Sequence, residues 1–194
     1  MRVYDRGVLA IMVFALLGSV PMAMADQGTV EKRFAPAGRV RMDLSAGAYT
    51  VRAGRDDRIY VQWETRAGEG NQAKVDIQVN GTSATIRTDG PRNNFRVTIE
   101  LPARSDLNVD LVAGDLRIDA ITGNKDISSW AGNIIIDVGR AEDYRQVDAS
   151  VKAGDISAAP FNERKGGLFR SFSWKGPGQY TLKVNLTAGN LALR

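Results

Sequence analysis

The 194-residue chain has no cysteine and no histidine, and its 26 Lys and Arg residues slightly outnumber its 22 Asp and Glu residues. Without these two residue types it has no disulfide, thiol nucleophile, thiolate metal site, Ser-His-Asp triad or imidazole base. The length suits one domain, and the weak positive charge gives no reason to expect nucleic acid as a partner.

The N-terminal residues are typical of a secretory signal peptide. Two arginines precede an apolar run over residues 7–18, and an Ala-Met-Ala segment ends at Ala25. This is the pattern of a cleaved leader. The alternative is an uncleaved membrane anchor, but a twelve-residue helix is about 18 Å long and the hydrocarbon core is about 30 Å thick. We predict cleavage after Ala25, export to the periplasm or cell surface, and a mature domain, 26–194, that does not span the membrane.

Apolar and polar residues alternate along most of the chain after Ala25. Period two places the apolar side chains of a segment on one face of a β-strand, and Gly, Asn, Asp and Pro between segments supply turns. The clearest runs are 40–44, 59–63, 75–79, 95–101, 107–111 and 180–186. Asn80-Gly81 predicts a hairpin with a type I′ turn. We therefore expect an all-β chain that forms a single domain.

Five segments share an Ala-Gly pair followed by a short alternating run. The glycines of these pairs are Gly47, Gly114, Gly132, Gly154 and Gly189. Gly123 lies midway between Gly114 and Gly132, which gives a nine-residue spacing. A unit of that length holds a strand of about five residues and a tight turn. The spacing therefore predicts an internal repeat of short strands.

The residue after the Ala-Gly pair is Asp or Asn in four of the five segments: Asp115, Asn133, Asp155 and Asn190. Glycine supplies a positive φ, and Asp or Asn can bond its own nearby backbone, so we interpret these positions and Gly123 as structural turns. If the units stack in register, their apolar residues line the core of a single-domain β-solenoid. The alternative is a β-sandwich whose turns resemble one another.

The motifs resemble those of the bacterial putative-adhesin family. The segments that carry the resemblance are Ala-Gly-Asp-Leu-Arg-Ile, Thr-Gly-Asn and Ala-Gly-Asn-Ile-Ile-Ile, which begin at residues 113, 122 and 131. Similar stretches at 34–51, 57–61 and 171–191 extend it over residues 30–194. The resemblance implies an exported, solenoid-like β-repeat domain at the cell envelope. The family's function is unknown, and it supplies no catalytic residue.

Four carboxylates are the candidate acidic site: Asp115, Asp119, Asp137 and Asp155. Paired carboxylates about 5–10 Å apart cleave glycosides, and acidic arrays bind calcium. However, asparagine takes the same repeat position, and it cannot act as a general acid or base. We therefore expect turn residues here, and no catalytic residue, cofactor or metal. Calcium binding, or a glycan-active enzyme that uses Asp115 and Asp155, is the alternative.

The candidate ligand or partner surface mixes basic and aromatic side chains: Arg164, Lys165, Phe169, Arg170, Phe172, Trp174 and Lys175. This mixture suits an anionic envelope polymer or glycan, because the predicted export argues against nucleic acid. The aromatic residues fall in both phases of the alternation, so Phe169 or Phe172 should face outward. The alternative is an ordinary solvated face.

Two tryptophans lie outside this segment. Trp63 shares the phase of Ile59 and Val61, so we expect it in the core, and Trp130 precedes a predicted turn and should cap the core edge.

Three functions follow from these patterns. The first is a non-enzymatic, adhesin-like envelope protein that binds an envelope protein or an anionic polymer. The second is a homo-oligomeric structural protein, since the open ends of a solenoid can stack on further copies unless they are capped. The third is the glycan-active β-helix enzyme.

Overall fold

The computed structural model describes residues 25–91 and 93–194, so the predicted signal peptide, except for Ala25, lies outside the described residues. The strands are β1 (Asp26–Arg33), β2 (Gly38–Leu44), β3 (Gly47–Ala53), β4 (Arg58–Thr65), β5 (Lys74–Asn80), β6 (Ser83–Asp89), β7 (Arg96–Leu101), β8 (Ser105–Asp119), β9 (Lys125–Ile136), β10 (Tyr144–Ala158), β11 (Glu163–Lys175) and β12 (Tyr180–Leu193). Three short 3₁₀ helices accompany them, at Gly70–Gln72, Ala141–Asp143 and Ala159–Phe161. The predicted all-β class is confirmed. Within the described ranges, no helix is long and apolar enough to cross a membrane.

The strands form one open, mixed sheet. Its main order is β1-β4-β7-β3-β8-β9-β12-β10-β11, and β2, β6 and β5 extend it from the first half of β8. The pairs β6–β2, β2–β8, β7–β3, β3–β8, β8–β9, β9–β12 and β12–β10 are parallel. Strands β1, β5 and β11 each run antiparallel to their one neighbour. Strand β12 lies between β9 and β10, so the spatial order departs from the chain order.

The four longest inner strands, β8, β9, β10 and β12, pass through their Ala-Gly pairs without ending there. The sequence predicts turns between short strands, but these positions are bends within strands of 12 to 15 residues. β2 and β3 together take the place of one more bent strand, because they pair with the first and second halves of β8. A bend keeps the hydrogen-bonded ladder intact on both sides, which a turn would interrupt.

The glycines of the Ala-Gly pairs line up across the sheet in the order Gly47, Gly114, Gly132, Gly189 and Gly154. The last four have φ values of 117° to 136°. A Cβ on Gly132 would lie 1.8 Å from the carbonyl oxygen of Gly114. Neighbouring backbones therefore approach too closely at this line of glycines for any side chain to fit.

Both halves of each bent strand contribute to one hydrophobic core. Leu116, Ile134, Leu191 and Ile156 form one in-register row after the bend, and each is buried. On the other side of the bend, Leu111 is buried as well.

The predicted hairpin is confirmed, since β5 and β6 pair antiparallel around Asn80-Gly81. The stacked bends are solenoid-like, whereas the antiparallel edges and the inserted β12 are features of a sandwich-like sheet.

Candidate functional site

Four residues that directly precede Ala-Gly pairs form a row across the outside of the sheet with Phe169, which lies beside them on β11. This bend row consists of Val112, Trp130, Thr187, Lys152 and Phe169, on β8, β9, β12, β10 and β11. Val112, Trp130 and Phe169 are 61%, 69% and 80% exposed. Neighbouring strands are about 4.8 Å apart, so Trp130 and Phe169, three strands apart, are separated by about 14 Å.

A groove of about 550 Å³ lies beside Trp130. Its floor includes a second in-register row of polar side chains, which comprises Asp110, Ser128, Asn185 and Ser150. The hydroxyl of Ser150 donates a 2.9 Å hydrogen bond to Oδ1 of Asn185. The groove thus combines one exposed indole with hydroxyl, amide and carboxylate groups. Trp130 was expected to cap the core, but its position before the bend points it outward.

A ladder of Asp and Asn side chains runs along the other side of the bend. The amide Nδ2 of Asn133 donates to the Asp115 carboxylate at 3.0 Å, and Nδ2 of Asn190 donates to Oδ1 of Asn133 at 3.0 Å. Asp155 lies beyond Asn190 on β10. Asp115 and Asp155 are therefore three strands, about 14 Å, apart. That separation is outside the range of about 5–10 Å that glycosidase carboxylate pairs use.

The other two candidate carboxylates serve the backbone and a neighbouring side chain. Asp119 accepts a 2.6 Å hydrogen bond from Nε of Arg117, and Asp137 accepts a 3.0 Å bond from the N–H of Gly139. Gly123 lies in the connection between β8 and β9, where a Cβ would be 2.3 Å from the carbonyl oxygen of Ser105. In residues 25–91 and 93–194, no three Asp or Glu side chains lie close enough together to hold a metal ion.

The candidate surface at 164–175 lies on the edge strand β11, but its aromatic side chains do not share one face. Phe172 is buried, and Trp174 is half-buried. Both pack against Phe161, with ring centroids 5.7 Å and 5.0 Å apart, and cover this end of the core. Phe169 alone of the three faces solvent, in agreement with the two phases of the pattern. Phe172 and Trp174 are therefore core residues rather than parts of an open surface.

The basic side chains of β11 lie on both sides of this edge. Lys165 lies opposite the buried Ile156, and its Nζ is 3.7 Å from Glu163. Arg170 donates from Nε to the carbonyl oxygen of Gly166 at 2.6 Å. Arg164 and Lys175 are exposed. Among the ion pairs of the described residues, none involves Arg164, Arg170 or Lys175.

Phe169 also has an unusual backbone conformation, with a φ of +52°. A bulky residue in the left-handed region is strained by about 1–2 kcal/mol. The side chain is the most exposed of the large apolar residues.

Trp63, by contrast, packs against the core as its phase predicts.

A second groove, of about 550 Å³, lies on the outer face near the start of β8 and β9. Its charges are of both signs and are partly paired, since Arg41 contacts Asp43 at 2.9 Å and Asp110 at 3.1 Å. Asp106 is also engaged, because Oδ1 accepts a 2.8 Å bond from the N–H of Asn124. The lining holds four basic and three acidic side chains, so the groove has only a small excess of positive charge.

Lys125 is a buried lysine that the sequence analysis did not single out. It is 1% exposed, and its Nζ donates to the Tyr144 hydroxyl at 3.1 Å and to the Gly123 carbonyl at 3.2 Å. Loss of hydration lowers its pKa to about 8, although the charges of Asp106 and Asp137 oppose this shift. Burial raises the pKa of Tyr144 to about 12. Lys125 lies at the floor of the second groove, but almost none of its surface is exposed, so we assign it to the core rather than to a binding site.

Comparison with known proteins identifies the fold. No family model matches the chain, and no curated protein matches it significantly. A putative cell adhesion protein from Clostridium sporogenes ATCC 15579 shares the fold, with a TM-score of 0.56 and 12% identity over 87% of this chain and 99% of that one. Two putative adhesins align less closely. The one from Parabacteroides distasonis ATCC 8503 has a TM-score of 0.30 and 12% identity over 88% of this chain and 71% of that one. The one from Bacteroides fragilis NCTC 9343 has a TM-score of 0.31 and 8% identity over 89% and 99%. The fold shared with the Clostridium sporogenes protein confirms, at the level of the fold, the resemblance that the motifs predict.

Proposed function

We propose that this chain is an exported, non-enzymatic, adhesin-like binding protein of the bacterial cell envelope. The observation that carries the proposal is the distribution of exposed apolar side chains. Four of the five large ones in the described ranges, Val112, Trp130, Leu168 and Phe169, lie at or next to the bend row. An exposed apolar cluster with polar surroundings is typical of an interaction surface.

The architecture in this proposal is a β-solenoid-like stack of bent strands with antiparallel strands at its ends. The in-register bends of β8, β9, β12 and β10 support it. Such a stack presents long, flat faces on which affinity can be spread over many side chains. The leader-like N-terminal sequence supports export, and the 26–194 domain is then the mature protein.

The partner in this proposal is an anionic envelope polymer, which the edge strand β11 contacts. Arg164, Arg170 and Lys175 provide cations without ion-pair partners among the described residues, and Phe169 provides an exposed ring between them. The strained φ of Phe169 supports a functional role, because strained conformations are concentrated at binding sites. Spread over both sides of the edge, these cations suit a flexible polymer better than a compact ligand.

Binding of the purified protein to immobilised lipopolysaccharide and to heparin, at increasing salt, tests the proposal. We expect binding that weakens with salt and falls at least tenfold in the triple variant R164Q/R170Q/K175Q. A matched control, R55Q/R66Q/K74Q, removes the same net charge from exposed residues outside β11. Equal losses in both variants would show that only net charge matters, and they would overturn the assignment to β11. Absence of binding to either polymer would contradict the proposed partner.

Homo-oligomeric assembly is the second candidate function. Its support is that β1, β5 and β11 each pair with only one neighbour in the described sheet. Unpaired strand edges can pair with another chain. Sedimentation velocity over a wide concentration range tests this candidate, and a monomer at every concentration would contradict it.

A further inference from the structure

We propose that the groove beside Trp130 binds a neutral saccharide chain, at a site separate from the cationic edge strand β11. The starting point is the exposure of Trp130, because a tryptophan is a costly residue to leave 69% exposed. An indole face stacks on the apolar C–H face of a pyranose ring, and its amphipathic character suits a ligand with one apolar and one hydroxyl-rich side. The indole therefore supplies the stacking half of a sugar site.

The polar row beside Trp130 supplies the hydrogen-bonding half. Ser128, Asn185 and Ser150 lie on β9, β12 and β10 in register, so their hydroxyl and amide groups recur about every 4.8 Å across the groove. Hydroxyls and amides both donate and accept, which matches the hydroxyl rim of a sugar. A saccharide chain lying across the strands would meet one such group at each step.

The charge of the groove selects a neutral chain. Its one carboxylate, Asp110, is engaged by Arg41 at 3.1 Å, and its one cation is Lys152. Since Asp110 is paired with Arg41, Lys152 is the one cation of the lining without an ion-pair partner among the described residues, and a single cation is fewer than an anionic polymer requires. The anionic partner proposed for β11 and the saccharide proposed here therefore rely on different side chains.

The groove is suited to binding without hydrolysis. Glycoside cleavage generally uses two carboxylates that flank the scissile bond, and the groove has only Asp110. The site should therefore retain an intact chain. Its affinity would come from stacking on Trp130 and from the row of polar groups.

The test is affinity electrophoresis of the purified protein in gels that contain hydroxyethyl cellulose, xyloglucan or galactomannan, followed by titration with a neutral hexasaccharide of the retarding polymer. Bound sugar should also change tryptophan fluorescence. Trp130→Ala should weaken binding about tenfold or more, and Trp130→Phe should keep part of it, because a smaller ring still stacks. Since Trp130 is exposed, its removal should leave the thermal unfolding midpoint unchanged.

Two control variants locate the effect. Val79→Ala removes an exposed apolar side chain from β5, outside the groove lining, and should change binding less than twofold. R164Q/R170Q/K175Q should leave neutral-sugar binding intact while it weakens binding to the anionic polymers, so the two proposals can fail independently. Equal losses in W130A and V79A would indicate general apolar adhesion rather than a sugar site and would overturn the proposal. Wild-type binding by W130A, or no retardation by any of the three polymers, would overturn it too.

Discussion

The side-chain amide of Asn133 on β9 donates a 3.0 Å hydrogen bond to the carboxylate of Asp115 on β8. Asn133 also accepts a 3.0 Å bond from the amide of Asn190 on β12. One residue thus links three strands next to their bends. Both bonds are exposed, so each contributes only about 0.5–1.5 kcal/mol to stability.

Two replacements of Asn133 distinguish the contribution of its hydrogen bonds to stability from the effect of a negative charge at this position. Asn133→Ala should lower the free energy of unfolding by about 1 kcal/mol, because both bonds are lost. Asn133→Asp keeps the acceptor for Asn190, but it should lower the free energy of unfolding further at low salt, because its carboxylate repels that of Asp115 at hydrogen-bond distance. The difference between the two variants should shrink in 1 M NaCl, where the Debye length is about 3 Å. Urea denaturation at low and high salt measures it, and a salt-independent difference would contradict the role assigned to charge.

The line of glycines makes a second prediction. Gly132→Ala should lower the free energy of unfolding by about 3 kcal/mol or more, because it adds a clash with the Gly114 carbonyl to the strain of a positive φ. Gly81→Ala is the matched control: its φ is +60°, but a Cβ there meets nothing within 4 Å. The control should lose only about 1–2 kcal/mol. Similar losses in both would mean that the close approach of the backbones adds little.

Lys125 makes stability depend on pH. The folded chain releases the Lys125 proton near pH 8 and the unfolded chain near 10.5, so the unfolded state binds more protons between these values. Stability should therefore rise as the pH increases from about 8 to 10, toward a total gain of about 3 kcal/mol. Above pH 10 the raised pKa of Tyr144 acts in the opposite direction, because the folded chain keeps a proton that the unfolded chain loses.

Lys125→Met tests this account, since it keeps the bulk of the side chain and removes the charge. The variant should be more stable than the wild type at pH 7, and its urea midpoint should stay nearly level from pH 7 to 9.5, where the wild-type midpoint climbs. If the wild-type midpoint falls over this range, the lowered pKa of Lys125 is contradicted.

Phe169 should show a trade-off between stability and binding. Phe169→Asn should raise the free energy of unfolding by about 0.5–1 kcal/mol, because asparagine tolerates a positive φ better than phenylalanine does. The same variant should bind lipopolysaccharide more weakly. Leu168→Asn is the control, since Leu168 is also exposed but is not among the residues with positive φ. It should bring no gain in stability, and an equal gain in both variants would refute the strain at Phe169.

Period-two alternation predicted most of the strands and their buried faces, because burial of one face dictates it directly, and Asn80-Gly81 predicted the hairpin. The alternation breaks at each Ala-Gly pair, and a break in a short window is typical of a turn. It could not show that pairing continues through Gly114 and Gly132, because that depends on neighbouring strands that bend at the same place.

The surface residues were harder to predict for a related reason. The cations and rings of 164–175 are close in sequence, but successive residues of a strand point to opposite faces, which separates the buried Phe172 from the exposed Phe169. Trp130 is exposed because it directly precedes a bend. The neighbours of β12 could not be predicted from the sequence either. Any strand with an Ala-Gly pair can align in the same register with any other such strand.

The position of β12 determines when the sheet can be completed. Although it follows β9, β10 and β11 in the chain, it must enter between β9 and β10. Until residues 180–193 enter the sheet, β9 and β10 each have a vacant edge, and their Ala-Gly pairs would let them join directly in matching register. That premature pairing has to open before the native order can form. A segment that enters late therefore competes with a contact that the strands before it are able to make.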